Sequence, residues 1–76
     1  MYEVLGKLHL SGTSKKTGRP YDLNLLFIAF DSGRAGVVGR ECDKYPCSPE
    51  LYNLVNPGDV FNTMLFDGRG QVCELR

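Results

Sequence analysis

The stretch YDLNLLFIAF, residues 21–30, decides the fold that the sequence predicts. It begins with polar and apolar residues in alternation and then becomes apolar on both faces, with leucine, isoleucine and phenylalanine predominating. Such a segment is typical of a strand in the middle of a sheet, because both of its faces are covered. We therefore predict a central strand over 21–30, with Leu26, Ile28 and Phe30 directed into the interior.

Strands on either side of this segment complete a pattern of five. Residues 2–10 alternate between apolar and polar side chains, which is the period of a strand with one buried face, and they place Val4, Leu8 and Leu10 on the same side. The remaining strands are predicted at 35–42 (AGVVGREC), 60–66 (VFNTMLF) and 71–75 (QVCEL). The tight turn DGRG joins the last two strands, so the chain is expected to end in a hairpin.

One short helical turn is predicted in the connection KYPCSPELYNL, residues 44–54. Ser48 suits the N-cap, Pro49 suits the first helical position, and Glu50 favours the positively polarised start of a helix. With this turn between strands three and four, the sequence predicts an all-β fold: a small five-stranded barrel of the oligonucleotide-binding (OB) type. An SH3-like barrel, which also has five strands and a short helical turn, is the alternative.

The length of 76 residues predicts a single domain, residues 1–76, with a small core. A chain of this size buries only ~60% of the surface that it exposes when unfolded, so we expect a homodimer to supplement its stability. Nine lysines and arginines balance nine aspartates and glutamates, which argues mildly against a polyanion partner held by net charge alone. The charges are unevenly distributed, however, because residues 4–21 contain basic residues and no acidic one.

The three cysteines, Cys42, Cys47 and Cys73, fit neither a paired disulfide framework nor a four-ligand zinc site, because their number is odd and no CxxC spacing occurs. They are interpreted as reduced thiols of a cytoplasmic protein. The longest apolar run, residues 25–30, is far shorter than a membrane span, and Met1-Tyr2-Glu3 does not resemble the start of a signal peptide. We expect a soluble cytoplasmic protein with no membrane partner.

No set of residues in the sequence predicts catalysis. The sequence places no Ser, Cys or Asp beside the single histidine, His9, and its simplest interpretation is an exposed strand residue. The sequence contains no HExxH motif, no Walker loop and no GxGxxG fingerprint. We therefore expect no enzymatic activity, no small-molecule substrate, no metal and no other cofactor.

The segment SGTSKKTGRPY, residues 11–21, joins the first two strands and predicts a contact with phosphate groups. Lys15, Lys16 and Arg19 lie among hydroxyl side chains and glycine amides, which are the groups that proteins use to hold a nucleic-acid backbone. The alternative is an ordinary hairpin loop, which is often rich in Lys, Ser and Gly because it is solvated.

One face of the strand that follows extends this candidate interface. Tyr21 is expected to be exposed and to stack on unpaired bases, and Phe27 has the same parity and either stacks as well or belongs to the core. Three further arginines could extend a basic stripe across the sheet, although each alone is an ordinary solvated residue: Arg34, Arg40 and Arg69.

Two segments resemble a known family of single-stranded DNA-binding proteins, the gene V proteins of filamentous phages. SGTSKKTGRPYDLN, residues 11–24, resembles the start of the family's DNA-binding region, with a Ser-Gly-x-Ser start and a Gly-basic-Pro-Tyr core. PELYNLVNPGDVF, residues 49–61, is similar to its Pro-x-Leu-Tyr segment and the turn that follows. The resemblance implies an OB-fold dimer that coats single-stranded DNA in the bacterial cytoplasm, during replication or transfer of a phage or mobile element.

Carried over by position, the resemblance implies roles for four residues. Lys15 and Arg19 would take the phosphate-contacting places, Tyr21 the place of the stacking tyrosine, and Leu23 an apolar contact on the same face. The predicted function is therefore non-catalytic, largely sequence-independent binding of single-stranded DNA. A protein-interaction module is one alternative, and RNA binding by the same face is another, because nothing in the sequence reads a 2′-hydroxyl.

Overall fold

Two long strands and four short ones, with one small helix, make up the computed structural model, which describes residues 1–76. The all-β class predicted from the sequence is confirmed. In chain order the elements are β1 (Tyr2–Thr13), β2 (Pro20–Asp31), β3 (Arg40–Pro46), α1 (Pro49–Leu54), β4 (Val60–Phe61), β5 (Met64–Phe66) and β6 (Val72–Leu75).

The first two strands are the longest elements of the molecule and form the centre of its main sheet. They pair antiparallel over their full length, from Tyr2 opposite Phe30 to Thr13 opposite Pro20. β3 adds to the later part of β2, and β4 adds to the start of β1, so the main sheet has the order β3-β2-β1-β4. This sheet is curled into half of a barrel, and β5 and β6 form a separate hairpin as predicted.

A bulge in β1 changes which side chains face the core. Val4 lies opposite Ile28 and Gly6 lies opposite Phe27, so Leu5 is an extra residue with no partner on β2. Because one added residue reverses the alternation of faces, Leu8 does not share the side of Val4. The predicted uninterrupted alternation over residues 2–10 is therefore wrong beyond Val4.

The core lies between the inner face of the main sheet, the helix and β6. Its six buried members are Leu26, Ile28, Cys47, Leu51, Val55 and Val72. Leu26 and Ile28 are fully buried as predicted, whereas Phe30 is only partly buried and packs its ring 6.4 Å from that of Tyr2. The predicted helix start is confirmed, because Ser48 Oγ accepts a hydrogen bond from the Leu51 N–H at 3.2 Å.

Two predicted strands have different bounds in the structure. The third strand runs over Arg40–Pro46 instead of 35–42, because Gly36 and Gly39 adopt positive φ angles of 92° and keep the preceding residues in a loop. The strand predicted over 60–66 is divided into β4 and β5. It breaks at Asn62, whose N–H donates to the Arg76 carbonyl, 2.6 Å away, instead of to β1.

No helix of the chain has the length and apolar character needed to cross a membrane. The structure also contains no cluster of three or more His, Cys, Asp or Glu side chains arranged to hold a metal ion. The three cysteines are free thiols, with Cys47 buried in the core and Cys42 and Cys73 exposed.

Candidate nucleic-acid interface

A two-stranded ribbon extends beyond the main sheet and carries the basic loop at its tip. β3 pairs only with residues 25–31 of β2, and β4 pairs only with Tyr2 and Glu3 of β1. Residues 9–13 and 20–24 therefore pair as strands only with each other, and at their base the Asn24 carbonyl also accepts the Cys47 N–H at 2.9 Å. The molecule is elongated, with principal extents of 42, 28 and 23 Å. We call residues 9–13 and 20–24 the ribbon, and residues 14–19 the tip loop.

The tip loop is held by its own hydrogen bonds. The Ser14 N–H donates to the Arg19 carbonyl, and the Gly18 N–H donates to the Ser14 carbonyl, both at 2.8 Å. Gly18 adopts a positive φ of 68°, a conformation that glycine reaches without steric cost. The Ser14 hydroxyl accepts from the Lys16 N–H at 3.3 Å, so this hydroxyl is used within the loop.

The three cations of the tip loop are available to a ligand. Lys15, Lys16 and Arg19 are all exposed, and none of them forms an ion pair within the molecule. Asp22, the one carboxylate of the ribbon, contacts His9 on the neighbouring strand and none of these cations. The structure therefore brings together the three basic residues that the sequence places in one loop.

The outer face of the ribbon, opposite to the core, places an aromatic ring over a glycine. Tyr21 lies directly across from Gly12, and residues that face each other on paired strands project from the same side of a sheet. The Tyr21 Oη would lie 3.1 Å from a Cβ added at Gly12, so the ring crosses the neighbouring strand in the space that glycine leaves. Tyr21 remains 43% exposed, and Leu23 on the same face is 44% exposed.

A second aromatic residue repeats this arrangement nearer to the main sheet. Phe27 lies opposite Gly6, with Phe27 Cδ2 3.8 Å from the position of a Gly6 Cβ. Between the two rings the outer face is apolar, formed by Leu8, Leu10, Leu23 and Leu25. Phe27 is partly buried and borders an open pocket of about 480 Å³, so it belongs to the outer face and not to the core cluster.

The structure does not bring Arg34 and Arg40 to the tip loop. Arg40 lies opposite Asp31, at the end of β2 that is farthest from the ribbon, and twelve residues of strand span roughly 36 Å. Its guanidinium contacts Glu3 at 3.0 Å and Asp31 at 3.3 Å. Arg34 pairs with Glu41 in the same region. The continuous basic stripe predicted from the sequence is absent, because these two charges are compensated locally.

Arg69, the third arginine of the predicted stripe, belongs to the second sheet. It lies in the turn between β5 and β6, where its backbone N–H donates to Asp67 Oδ1 at 2.8 Å. Its side chain is exposed and forms no ion pair.

Side chains on the inner face of β1 contact the helix at the base of the ribbon. The Lys7 Nζ donates to the Tyr52 carbonyl at 2.9 Å and lies 4.5 Å from the centre of the Tyr52 ring. His9 follows on the same side and packs its ring 6.2 Å from Tyr52. Although both belong to the segment without acidic residues, they are turned away from the outer face by the bulge at Leu5.

No family model, curated protein or solved structure matches the chain. The fold and the site define a small all-β protein whose longest hairpin carries three unpaired cations at its tip and an exposed tyrosine on its outer face.

Proposed function

We propose that this protein binds single-stranded DNA without catalysis, through the tip loop and the outer face of the ribbon. The proposal depends on one observation: the exposed Tyr21 ring, lying over Gly12, adjoins a loop in which Lys15, Lys16 and Arg19 have no carboxylate partner. Cations that contact phosphates, combined with a ring on which a base can stack, are the means by which proteins bind single strands.

The chemistry of the outer face favours an unpaired strand over a duplex. Leu10, Tyr21 and Leu23 are each more than 40% exposed, and their apolar atoms are suited to the flat faces of bases, which only unpaired bases present. No amide or carboxylate side chain projects from the outer face between Tyr21 and Phe27 to read the edge of a base. Binding is therefore expected to be largely independent of sequence.

The proposal includes an OB-type barrel as the framework. Two observations support it beyond the curled sheet itself: β1 pairs with both β2 and β4, and Cys47, just after β3, bridges to Val72 of β6 in parallel. If β4 and β5 are counted as the two halves of one strand, five strands then follow one another around a ring. In barrels of this type the ligand lies against the second and third strands, beside the loop that joins strands one and two.

A homodimer is also part of the proposal. Only eight residues of the chain are buried, which is a small core for an independently stable domain. A dimer would have a mass of twice 8.5 kDa, or 17 kDa. Sedimentation equilibrium at micromolar concentration tests this part separately, and a species of 8.5 kDa at all concentrations would contradict it.

Titration with a fluorescently labelled (dT)12 oligonucleotide at low salt tests the proposed binding. We expect a rise in anisotropy together with quenching of tyrosine fluorescence, both reversed by added salt. Tyr21→Phe keeps a stacking ring, so it should retain affinity while losing much of the quenching. Tyr21→Leu should weaken binding by about fivefold to 160-fold, since stacking on one base contributes ~1–3 kcal/mol.

The absence of both signals at low salt and micromolar protein would overturn the proposed function. A (rU)12 oligonucleotide in the same assay separates DNA binding from RNA binding by the same face. Binding of equal strength to both would broaden the proposal to single-stranded nucleic acid of either kind.

A further inference from the structure

We propose that the open pocket beside Phe27 is a second base-binding position, and that Lys44 contacts the phosphate of the nucleotide bound there. This inference rests on the proposed binding of single-stranded DNA. The pocket has a volume of about 480 Å³ and is lined by Leu5, Gly6, Phe27, Cys42, Asp43 and Lys44.

The pocket owes its shape to the bulge and to a glycine. Leu5, the extra residue of the bulge, is 50% exposed and forms one wall. Gly6 also lines the pocket and carries no side chain to fill it; Phe27 Cδ2 is the one atom near the position of its Cβ, 3.8 Å away. An open apolar site bordered by an aromatic ring is suited to the face of a nucleobase.

Lys44 provides the pocket with a group that can contact a phosphate. Lys44 lies opposite Phe27 in the register of β2 and β3, so its ammonium projects from the outer face beside the ring. It is exposed and forms no ion pair. Asp43 also lines the pocket; it lies opposite Ile28, and its Oδ1 accepts a hydrogen bond from the Lys44 N–H at 2.8 Å. The Lys44 ammonium, which has no ion-pair partner, is thus the one cation in the lining of the pocket.

The pocket is continuous with the surface that we propose to bind DNA. Phe27 is six residues from Tyr21 on the same strand, so both rings project from the same face, roughly 20 Å apart. Only leucines lie between them, and an unpaired cation adjoins each end, Arg19 beside Tyr21 and Lys44 beside Phe27. We infer that one strand extends from the tip loop to the pocket and occupies at least about four nucleotides.

Oligonucleotides of increasing length test this path. We expect the affinity for (dT)2 to depend on Tyr21 and the tip loop, and the affinity for (dT)8 to depend on the pocket as well. Phe27→Leu keeps the apolar bulk and removes the ring, and it should weaken the binding of (dT)8 by about fivefold or more. Lys44→Gln should reduce the slope of log K against log salt concentration by about 0.7, the value for one phosphate contact.

Arg76→Gln provides a matched control for the loss of charge. Arg76 pairs with Glu74 on the second sheet, so its replacement removes one positive charge away from the outer face and should leave (dT)8 binding unchanged. Thermal melts of each variant show whether the folded state is kept.

The reactivity of Cys42 gives a readout that does not depend on affinity. Its thiol lines the pocket, whereas Cys47 is buried and Cys73 can be replaced by serine. In Cys73→Ser protein, saturating (dT)8 should slow the alkylation of Cys42 by severalfold, and Phe27→Leu should reduce this protection.

Two results together would overturn the pocket inference and leave the proposed function standing. Cys42 would be alkylated at an unchanged rate under saturating (dT)8, and the Phe27→Leu and Lys44→Gln variants would bind (dT)8 with wild-type affinity. Failure of the wild-type protein to bind any oligonucleotide would overturn both.

Discussion

At the scale of single residues, the position of Tyr21 depends on the absence of a side chain at Gly12. A Cβ at residue 12 would lie 3.1 Å from the Tyr21 Oη and 3.3 Å from Cζ, so the ring would have to shift by a few tenths of an ångström. Both atoms belong to the far end of an exposed side chain, which can move aside at little cost. Gly12 is therefore interpreted as a positioning residue for the ring.

Gly12→Ala should weaken binding of (dT)12 severalfold without lowering the melting temperature. Alanine displaces the ring, but it removes the entropy cost of a glycine within a strand, so the stability is expected to stay constant or rise by up to about 1 kcal/mol. The double variant Gly12→Ala/Tyr21→Phe removes the closest atom, Oη, and should regain part of the lost affinity. A Gly12→Ala protein that binds as tightly as the wild type would show that the ring position does not matter.

One buried and one partly buried group, Cys47 and Tyr45, make the stability sensitive to alkaline pH. Burial raises the pKa of the Cys47 thiol, and the positive charge of the nearby Lys7 ammonium offsets part of this increase. Burial also raises the pKa of Tyr45, and the negative charge of Asp43 adds to this effect. Since both groups lose their protons more readily in the unfolded chain, their contribution is complete at neutral pH and is lost as the pH rises through their folded-state values.

We expect the midpoint of urea unfolding to fall as the pH is raised above 9.0, the ordinary value of the thiol pKa. Cys47→Ala lowers the stability at every pH because it removes buried volume, but the decline between pH 8 and pH 10 should be less steep than in the wild type. Tyr45→Phe should make the fall of the urea midpoint less steep at still higher pH. An equally steep decline in the Cys47→Ala and wild-type proteins would contradict the role of the thiol.

At the scale of elements, the helix α1 is short enough for its stability to depend on its cap. It has six residues, and only Leu51 among them is buried. Ser48 Oγ accepts the Leu51 N–H, which would otherwise lack a partner within the helix.

Ser48→Ala should lower the free energy of unfolding by about 1 kcal/mol, as measured by urea denaturation. Ser11→Ala is the control, because Ser11 is exposed on the ribbon and should change the stability very little. A Ser48→Ala protein as stable as the wild type would mean that water replaces the cap without cost.

The elements that the sequence predicted well are those with strong local signals. The apolar run of β2 and the Ser-Pro-Glu start of α1 carry enough information by themselves. β3 was misplaced because Val37 and Val38 resemble strand residues, yet Val38 is 99% exposed in a loop between two glycines of positive φ. A pattern of apolar residues does not show whether any neighbour covers them.

The candidate site was predictable to the extent that it lies within one segment. The tip loop and Tyr21 are adjacent in sequence, so their proximity follows from the hairpin alone. The pocket could not be predicted, because Leu5, Phe27 and Lys44 meet only through the bulge and the register of three strands. A glycine facing an aromatic residue across a hairpin is the one signal that could have indicated it.

At the scale of the whole molecule, a net charge of zero conceals a concentration of unpaired positive charge at one end of the β1–β2 hairpin. The tip loop carries three cations without carboxylate partners. At the other end of β2, Arg34 and Arg40 are held in ion pairs with Glu41, Glu3 and Asp31. A polyanion is therefore expected to meet the positive end first, although the molecule as a whole is neutral.

This uneven distribution of charge predicts which arginines and lysines determine the salt dependence of the proposed binding. For single strands, each phosphate contact contributes about 0.7 to the slope of log K against log salt concentration. Replacing Lys15, Lys16 and Arg19 together by alanine should therefore reduce the slope by roughly two, with little change in the melting temperature. The Arg34→Ala/Glu41→Ala pair, which removes a compensated ion pair, should leave the slope unchanged. If instead the triple variant kept the wild-type slope while the Arg34→Ala/Glu41→Ala protein lost part of it, the strand would bind at the opposite end of the molecule. The ribbon would then serve another purpose.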